Sequence, residues 1–442
     1  VNNKKVLILG GGTCGCALSY FLHKKGYEVD LIEEKGKNVG GLSRTHYYAG
    51  HPYEFGPHVW FWPDPSPIND IIRELTDNEL YYIDRRLYSV IEKDAAMYRY
   101  PIHFEDIEKM PNKDECLKFL KIHRDSNWKL KNEQIPIIGE CTFAEYFNTV
   151  VGKPLFDKFM LNYAWKMWNI HPNELQTSMV WADRIKDNYE GQGRTKGKIG
   201  YDPIKFEDHT LGKDLPFQVY PKKGWNIVWD KMTSHANIIQ GKITRAYKIQ
   251  GKCKLILEHS EDSTEHTSIN MNDYYKVINT LDIDKLIDPT GSQLPYSGRI
   301  MIPLLIPSLN PEDTANVPTF PNNAESLHFS GAEFQTRVTD MATITKYTTG
   351  GRLVLLEVPI TSDITEDGFP ANTIAYAKQN NLYAKKAYAQ QSKVGLERYN
   401  ELLQISKNRY PNLLHCGRHA EFRYIGMPET VDSARLLIEK EF

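Results

Sequence analysis

The chain is short of cysteine, of long apolar runs and of any excess of charge. Its 442 residues include six cysteines. None of Cys14, Cys16, Cys116, Cys141, Cys253 and Cys416 falls in a paired C-x-x-C arrangement. That argues against a cysteine metal centre and a disulfide framework, and it fits a reducing compartment. Lys and Arg number 54 against 56 Asp and Glu, for a net charge of −2. A balance this even builds no field for nucleic acid or an anionic membrane. No apolar run is long enough to cross a bilayer. The early apolar stretch from Val6 to Leu9 runs straight into glycines, unlike the core of a signal peptide. The expectation is a soluble, cytoplasmic protein with no metal, no nucleic-acid partner and no membrane span. Internal repeats and low-complexity segments are also missing. The length exceeds what one core holds, so two or three domains are expected.

What the sequence does have is aromatic rings, 12% of residues with 26 Tyr and 8 Trp, and a pattern of short elements. Lys4 to Leu9 reads as a buried strand, Gly10 to Gly15 as a turn, Ala17 to Lys25 as a helix ended by Gly26, and Glu28 to Glu33 as a second strand. Tyr88 to Pro101 alternates as strands. Phe104 to Arg124 and Phe143 to Met167 have helical spacing. Residues 186–215 have the polar, glycine-studded composition of a mobile loop. Tyr220 to Ser234 begins with a turn and becomes helical, Lys242 to Glu258 reads as a hairpin, and Tyr275 to Asn279 as a strand. Leu327 to Tyr347 and Arg352 to Pro359 read as strands, and Ala384 to Asn408 as one long helix. The segment from Leu413 onward reads as a strand, a loop and a last helix.

The first motif is VLILGGGTCG, with Gly10, Gly12 and Gly15 in G-x-G-x-x-G spacing and Thr13 opening the helix. It follows a strand, and Glu33, with Glu34 beside it, ends the next strand. The glycines let the backbone approach a pyrophosphate, which then sits on the helix N-terminus. The Glu33 carboxylate suits two ribose hydroxyls and repels a 2′-phosphate, which disfavours NADP here. The pattern identifies a dinucleotide-binding Rossmann unit. Next comes EKGKNVGGLSRT, with Gly40, Gly41, Leu42, Arg44 and Thr45. It resembles the second glycine motif of the large FAD family that includes amine oxidases and sugar-nucleotide mutases, so the implied cofactor is FAD. YEFGPHVWFW follows, and its Gly56-Pro57-His58 turn puts His58 beside the isoalloxazine in that family.

Further blocks make the resemblance narrower. They are VVGKPLFDKFMLNYAWKMW, YPKKGWNIVWDKM, FQTRVTD, LLEVP and CGRHAEFRYIGM. In this order the chain resembles the UDP-galactopyranose mutase family. The resemblance implies an α/β fold: a Rossmann-type FAD-binding domain (1–80, 220–290 and 400–442), a helical domain (102–185, followed by the mobile loop 186–215) and an antiparallel β-sheet domain (81–101 and 291–399), discontinuous in sequence. It implies an isomerase that interconverts pyranose and furanose forms of a nucleotide sugar without net redox change. There, N5 of reduced FAD attacks the anomeric carbon and displaces the diphosphate, so the cofactor is the nucleophile. An external reductant such as NAD(P)H is implied, as is a homodimer.

Residue by residue, the resemblance implies nucleobase contacts from Phe159 and Tyr163, four apart on one helical face, and a sugar contact from Trp168, with Lys166 in the same block. Arg184 and Arg337 would grip the diphosphate. Arg418 and Met427 would lie near the flavin, Tyr388 and Tyr424 would reach a phosphate, and Glu357 would stand near the sugar. The catalytic set is then Arg337, Arg184, Arg418 and His58. Two positions depart from the family: Phe61 stands where a second His is frequent, and Gly426 where an acid is expected. Those departures point to a sugar other than galactose, or a broader range. The other reading is a flavin amine oxidase-like oxidoreductase, which shares the N-terminal motifs but has no use for the paired arginines. A catalytically silent FAD scaffold would lack the pocket groups.

Overall fold

A computed structural model describes residues 2–61, 67–83, 86–124, 128, 130, 136, 140–177, 204–205, 218–259, 266–308, 319–360 and 368–442. The strand Asn2–Leu9 (β1), the helix Thr13–Lys24 (α1) and the strand Glu28–Glu33 (β2) form the expected βαβ unit. Val6, Leu7, Ile8 and Leu9 are all fully buried, the signature of a parallel strand covered on both faces. β1 pairs in parallel with β2 on one side and with Tyr274–Asn279 on the other. The strands Asn237–Gln240 and Leu413–His415 extend the sheet to five, all parallel. Chain order reverses at β1. In such sheets ligands bind beyond the carboxyl ends of the strands at that point.

A second sheet has seven strands. Their order is Tyr383–Ala389, Tyr296–Pro307, Gly351–Ile360, Arg337–Asp340, Ser326–Phe329, Leu87–Ile91 and Ala96–Tyr100. All neighbours are antiparallel except Ser326–Phe329 and Leu87–Ile91, which run parallel. Helices Lys113–His123 and Phe143–Val151 pack with the segment 153–168 around Leu120, Phe147, Val150, Leu155 and Phe156. Burying each of these side chains contributes about 1.5–3 kcal/mol. Among the described residues no helix is long and apolar enough to cross a membrane. All six cysteines are free and buried.

Three element readings need correction. Ala384 to Asn408 is not one helix: Tyr383–Ala389 is a strand and the helix is Lys393–Arg409. The Ala and Lys of YAKKAYA favour a helix locally. The strand instead satisfies the open edge of Tyr296–Pro307, a non-local gain that outweighs propensity. Ser392 marks the true helix start, its side chain accepting from the Gly395 amide. Leu327 to Tyr347 likewise divides into the two strands given above and a short helix, Met341–Thr345, capped by Asp340. Gly152, at φ 84°, breaks the expected helix Phe143 to Met167. Beyond it, Asp157–Leu161 winds as a π turn before Asn162–Trp168 resumes as α-helix.

Candidate functional site: a glycine cradle joined to an arginine–tyrosine cluster

The glycine turn has the shape the sequence implied. Gly10 takes φ 97°, and its amide donates to Ile32 O at 2.9 Å. A Cβ on Gly15 would overlap the Gly10 carbonyl, so no larger residue fits there. A Cβ on Gly12 would meet nothing within 4 Å. Gly12 caps α1 without a side-chain hydrogen bond, leaving first-turn N–H groups available to an anion. Gly41 lies against this turn, its Cβ position 3.2 Å from Gly12 Cα, and the Gly40 amide donates to Gly11 O at 2.7 Å. The Thr13 and Ser43 hydroxyls meet at 2.8 Å. Leu42, partly buried, packs against the core and accepts at its carbonyl from the Phe55 amide at 3.2 Å.

Glu33 accepts from the amides of Gly11 (2.8 Å) and Lys35 (3.0 Å). Burial raises its pKa above the ordinary value, and the carboxylate keeps lone pairs for further donors. Glu34 instead pairs with Lys242 at 3.6 Å on the surface. Arg44 donates to Val39 O and Asp230 rather than toward the turn. The cradle therefore fits a dinucleotide through Gly12, Thr13, Glu33 and Gly41.

The large sheet places the second group of residues. Its register aligns Met301, Glu357, Arg337 and His328 in one cross-strand row. Arg337 donates to Glu357 Oε2. Arg299 donates to Glu357 Oε1 at 3.0 Å, and the Tyr388 hydroxyl reaches the same oxygen at 3.2 Å. The Arg418 guanidinium carbon lies 4.9 Å from the ring centres of both Tyr388 and Tyr424, a cation–π distance. Trp168 meets Tyr424 edge to face at 4.7 Å and Tyr388 at 5.4 Å. The helix, the sheet and the C-terminal tail converge here.

The charges of this cluster do not cancel. Arg299, Arg337 and Arg418 against Glu357 leave three positive charges and one negative, a surplus of two. The Nε atoms of Arg337 and Arg418 are buried with no hydrogen-bond partner among the described residues. A buried unpaired guanidinium N–H is unfavourable, and an anionic ligand would satisfy it. Burial pushes the Glu357 carboxyl up, but Arg337 and Arg299 together hold it below its ordinary value, so it is ionised.

Cradle and cluster are continuous. A Cβ at Gly56 would lie 3.5 Å from Arg337 Nη2 and from Met301 Cε. His58 feels the charges of Arg418, Arg337 and Glu357, and burial brings its pKa down to about 4. Its Nδ1 lies 3.3 Å from Gly56 O. With Nδ1–H as donor, the neutral ring offers Nε2 as an acceptor. On the other side, the Cβ position of Gly417 lies 2.7 Å from Cys14 Sγ, which joins the segment of Arg418 to the glycine turn. Met427, buried, opens the last helix Met427–Glu441.

Not every expected residue points into this cluster. Phe159, on the π turn, packs on Tyr98 at 6.0 Å in the helical core. Tyr163 does border the cluster, stacking at 5.0 Å on His328, which lies opposite Arg337. Phe159 sits inside the π turn and Tyr163 in the α-helix after it, so the four-residue spacing spans two kinds of helical turn. Lys166 is held by Phe329 O (3.0 Å) and Gly331 O (3.3 Å), and tethers its helix to the loop before Arg337. Arg184 and the loop 186–215, apart from 204–205, lie outside the described residues. Arg299, His328 and Gln390 were not singled out from sequence. Arg299 had a signal, a lone charge inside the apolar strand SGRIMIPLLIP. His328 and Gln390 had none, because only pairing and packing reveal them.

Comparison with known proteins shows what the chain is similar to in sequence and in fold. A family model described as an NAD(P)-binding Rossmann-like domain matches residues 8–75. A probable UDP-galactopyranose mutase of Klebsiella pneumoniae is 24% identical over 248 residues, 54% of this chain and 55% of that protein. A dTDP-fucopyranose mutase of Escherichia coli is 21% identical over 252 residues, 55% of this chain and 58% of that one. The chain thus spans a little over half the length of these curated relatives. The fold matches a crystal structure of reduced UDP-galactopyranose mutase with a TM-score of 0.70 at 18% identity, covering 99% of this chain and 93% of that one. Putrescine oxidase shares the fold at a TM-score of 0.56 and 13% identity, covering 99% and 98%. In sequence and in fold, the chain is similar to the UDP-galactopyranose mutase family that its motifs pointed to.

Proposed function

We propose that this chain is a flavin-dependent sugar-nucleotide mutase that interconverts pyranose and furanose forms. One observation carries the reading: a cluster with two surplus positive charges and two buried unpaired Nε–H groups, on Arg337 and Arg418, adjoins a dinucleotide cradle. A nucleoside diphosphate supplies the matching negative charge and acceptor oxygens. The same surplus repels a protonated amine, so the amine oxidase-like reading fits the cluster poorly. Gly10, Gly12, Thr13, Gly15, Glu33, Gly41 and Leu42 would hold the FAD, with His58, Arg418 and Met427 nearer its ring. Bound and reduced, FAD supplies a nucleophile for the anomeric carbon.

The remaining work falls to this chain's side chains. Arg337, with Arg184 from its own segment, would hold the diphosphate close as it leaves and returns, and Arg418 beside the flavin ring would add positive charge there. That turns a bimolecular return into a local one. Trp168, Tyr388 and Tyr424 wall the pocket and limit water. His58 is neutral at physiological pH, so it adds no charge beside the flavin. An external reductant such as NAD(P)H would prime the cofactor, and a homodimer is the proposed assembly. One relative is named for dTDP-fucopyranose. With Phe61 and Gly426 in place of the family's His and acid, this favours a sugar other than galactose.

The test is a panel of UDP-, dTDP- and GDP-sugars incubated anaerobically with dithionite-reduced protein and followed by NMR for furanose signals. Conversion of one or more supports the reading, and failure of all of them with flavin bound contradicts it. UDP-galactose reacting best by a wide margin would contradict the specificity part alone.

A further inference from the structure

We infer that Arg299 is a positioning residue that aims Arg337 through Glu357 and anchors the end of the helix that carries Trp168. The inference rests on the reading of Arg337 as a diphosphate contact.

Arg299 and Arg337 share one carboxylate but differ in what they have left to offer. Arg299 is fully buried. Its Nε donates to Glu357 Oε1, its Nη1 to Ser297 Oγ and to Gly298 O at 2.6 Å, and its Nη2 to Met167 O. All three nitrogens are engaged within the protein and the side chain is fully enclosed, so it presents no surface to a ligand. Arg337 keeps part of its side chain open and has an unpartnered Nε. Glu357 takes one guanidinium on each oxygen. It therefore orients Arg337 only while ionised, and Arg299 is the partner with no other task in the pocket.

The second arm of Arg299 reaches the helix. The last carbonyls of Asn162–Trp168 have no intrahelical partner. Met167 O accepts from Arg299 and from Ser297 Oγ at 3.1 Å, and Trp168 O accepts from Gln390 Nε2 at 2.6 Å. A cation at this end also complements the helix dipole. One side chain thus fixes both Arg337 and the backbone beside Trp168.

Removing Arg299 leaves Glu357 buried with Arg337 as its remaining cation. Tyr388, Tyr163 and His58 face it from a strand, the helix and the His58 turn, with Arg418 and Tyr424 on Tyr388. Burial then favours protonation, which would release Arg337. The experiment titrates UDP and dTDP into flavin-loaded full-length protein between about pH 5.5 and 8 and reads the ratio of variant to wild-type Kd. The ratio cancels the ligand's own titration. Arg299→Met is expected to weaken binding about tenfold, with a ratio that grows as pH falls. Arg299→Lys keeps a charge and is expected to keep a flat, smaller ratio. Glu357→Gln lacks the titrating group and is expected to give weakened binding with a flat ratio, a result that stands even if Arg299→Met does not fold. A pH-independent ratio in Arg299→Met, or wild-type affinity in Glu357→Gln, overturns the inference. Wild-type protein that binds neither nucleotide sinks the functional reading first, and this one with it.

Discussion

Trp168 and Tyr424 meet at right angles with their ring centres 4.7 Å apart, although 256 positions separate them in the chain. The contact joins the helix to the C-terminal tail, and Arg418 lies over the Tyr424 ring. Tyr424 thus has a packing role in its ring and a proposed phosphate role in its hydroxyl. The two can be separated. Tyr424→Phe is expected to keep the melting temperature and lose about tenfold in kcat/KM for the nucleotide sugar, as one charge-assisted hydrogen bond goes. Tyr424→Ala should also lower the melting temperature, because the edge-to-face and cation–π contacts go with the ring. Equal kinetics in wild type and Tyr424→Phe would remove the phosphate role.

Arg337→Ala should cripple turnover while flavin stays bound. The lost contact is a charge-assisted one, about 1.5–3 kcal/mol, equivalent to roughly 10- to 150-fold in kcat/KM. Flavin absorbance of the purified variant and its steady-state kinetics are the two measurements. Loss of the flavin would place Arg337 in the cofactor site instead.

Two glycines of one turn should fail in different ways. The space beside Gly12 is empty of protein atoms, whereas a side chain at Gly15 collides with the Gly10 carbonyl. Gly12→Val is therefore expected to fold and to purify colourless, since the valine occupies the approach of the pyrophosphate. Gly15→Ala should destabilise the turn itself and lower the melting temperature of flavin-free protein. A yellow Gly12→Val protein would refute the cradle.

The elements that sequence revealed are those whose cause is local. The run Val6 to Leu9, the glycines after it and Glu33 lie within one βαβ unit, and each states its requirement in its own residue type. The helix start read at Phe143 is equally local, fixed by the capping box of Thr142 and Glu145. Tyr383–Ala389 was misread because its strand exists only through the edge of Tyr296–Pro307, which no residue of YAKKAYA announces. In the site, Glu357 and Arg337 were legible as motif positions, but their union was not. It follows from a register between strands some twenty residues apart. Arg299 lies on the next strand, opposite Pro359 and two residues from the Glu357 row, and matches none of the motif blocks.

A buried carboxyl makes stability depend on pH. Glu54 is fully buried, accepting from the hydroxyls of Thr45 and Tyr220, both at 2.6 Å. Burial pushes its pKa up to about 7, with those two bonds opposing. Its pKa is raised on folding, so its contribution is fully present below the unfolded value of 4.5 and lost as pH rises through about 7. The amount is about 3 kcal/mol. The difference in unfolding free energy between wild type and Glu54→Gln should therefore shift against wild type across that window. Denaturant titrations at several pH values measure it, and parallel curves would show that Glu54 is charged in the folded protein.

The central claim is that this chain uses a flavin without consuming its electrons, and redox accounting tests that most directly. Flavin-loaded protein would be reduced with a measured amount of dithionite under anaerobic conditions and given the sugar nucleotide that the panel identifies. The furanose product and the flavin spectrum would be followed together. The account predicts many product molecules per reducing equivalent, a flavin that stays reduced, and no conversion by the oxidised protein. Product limited to one per reducing equivalent, or turnover by oxidised flavin with oxygen consumed, would contradict it.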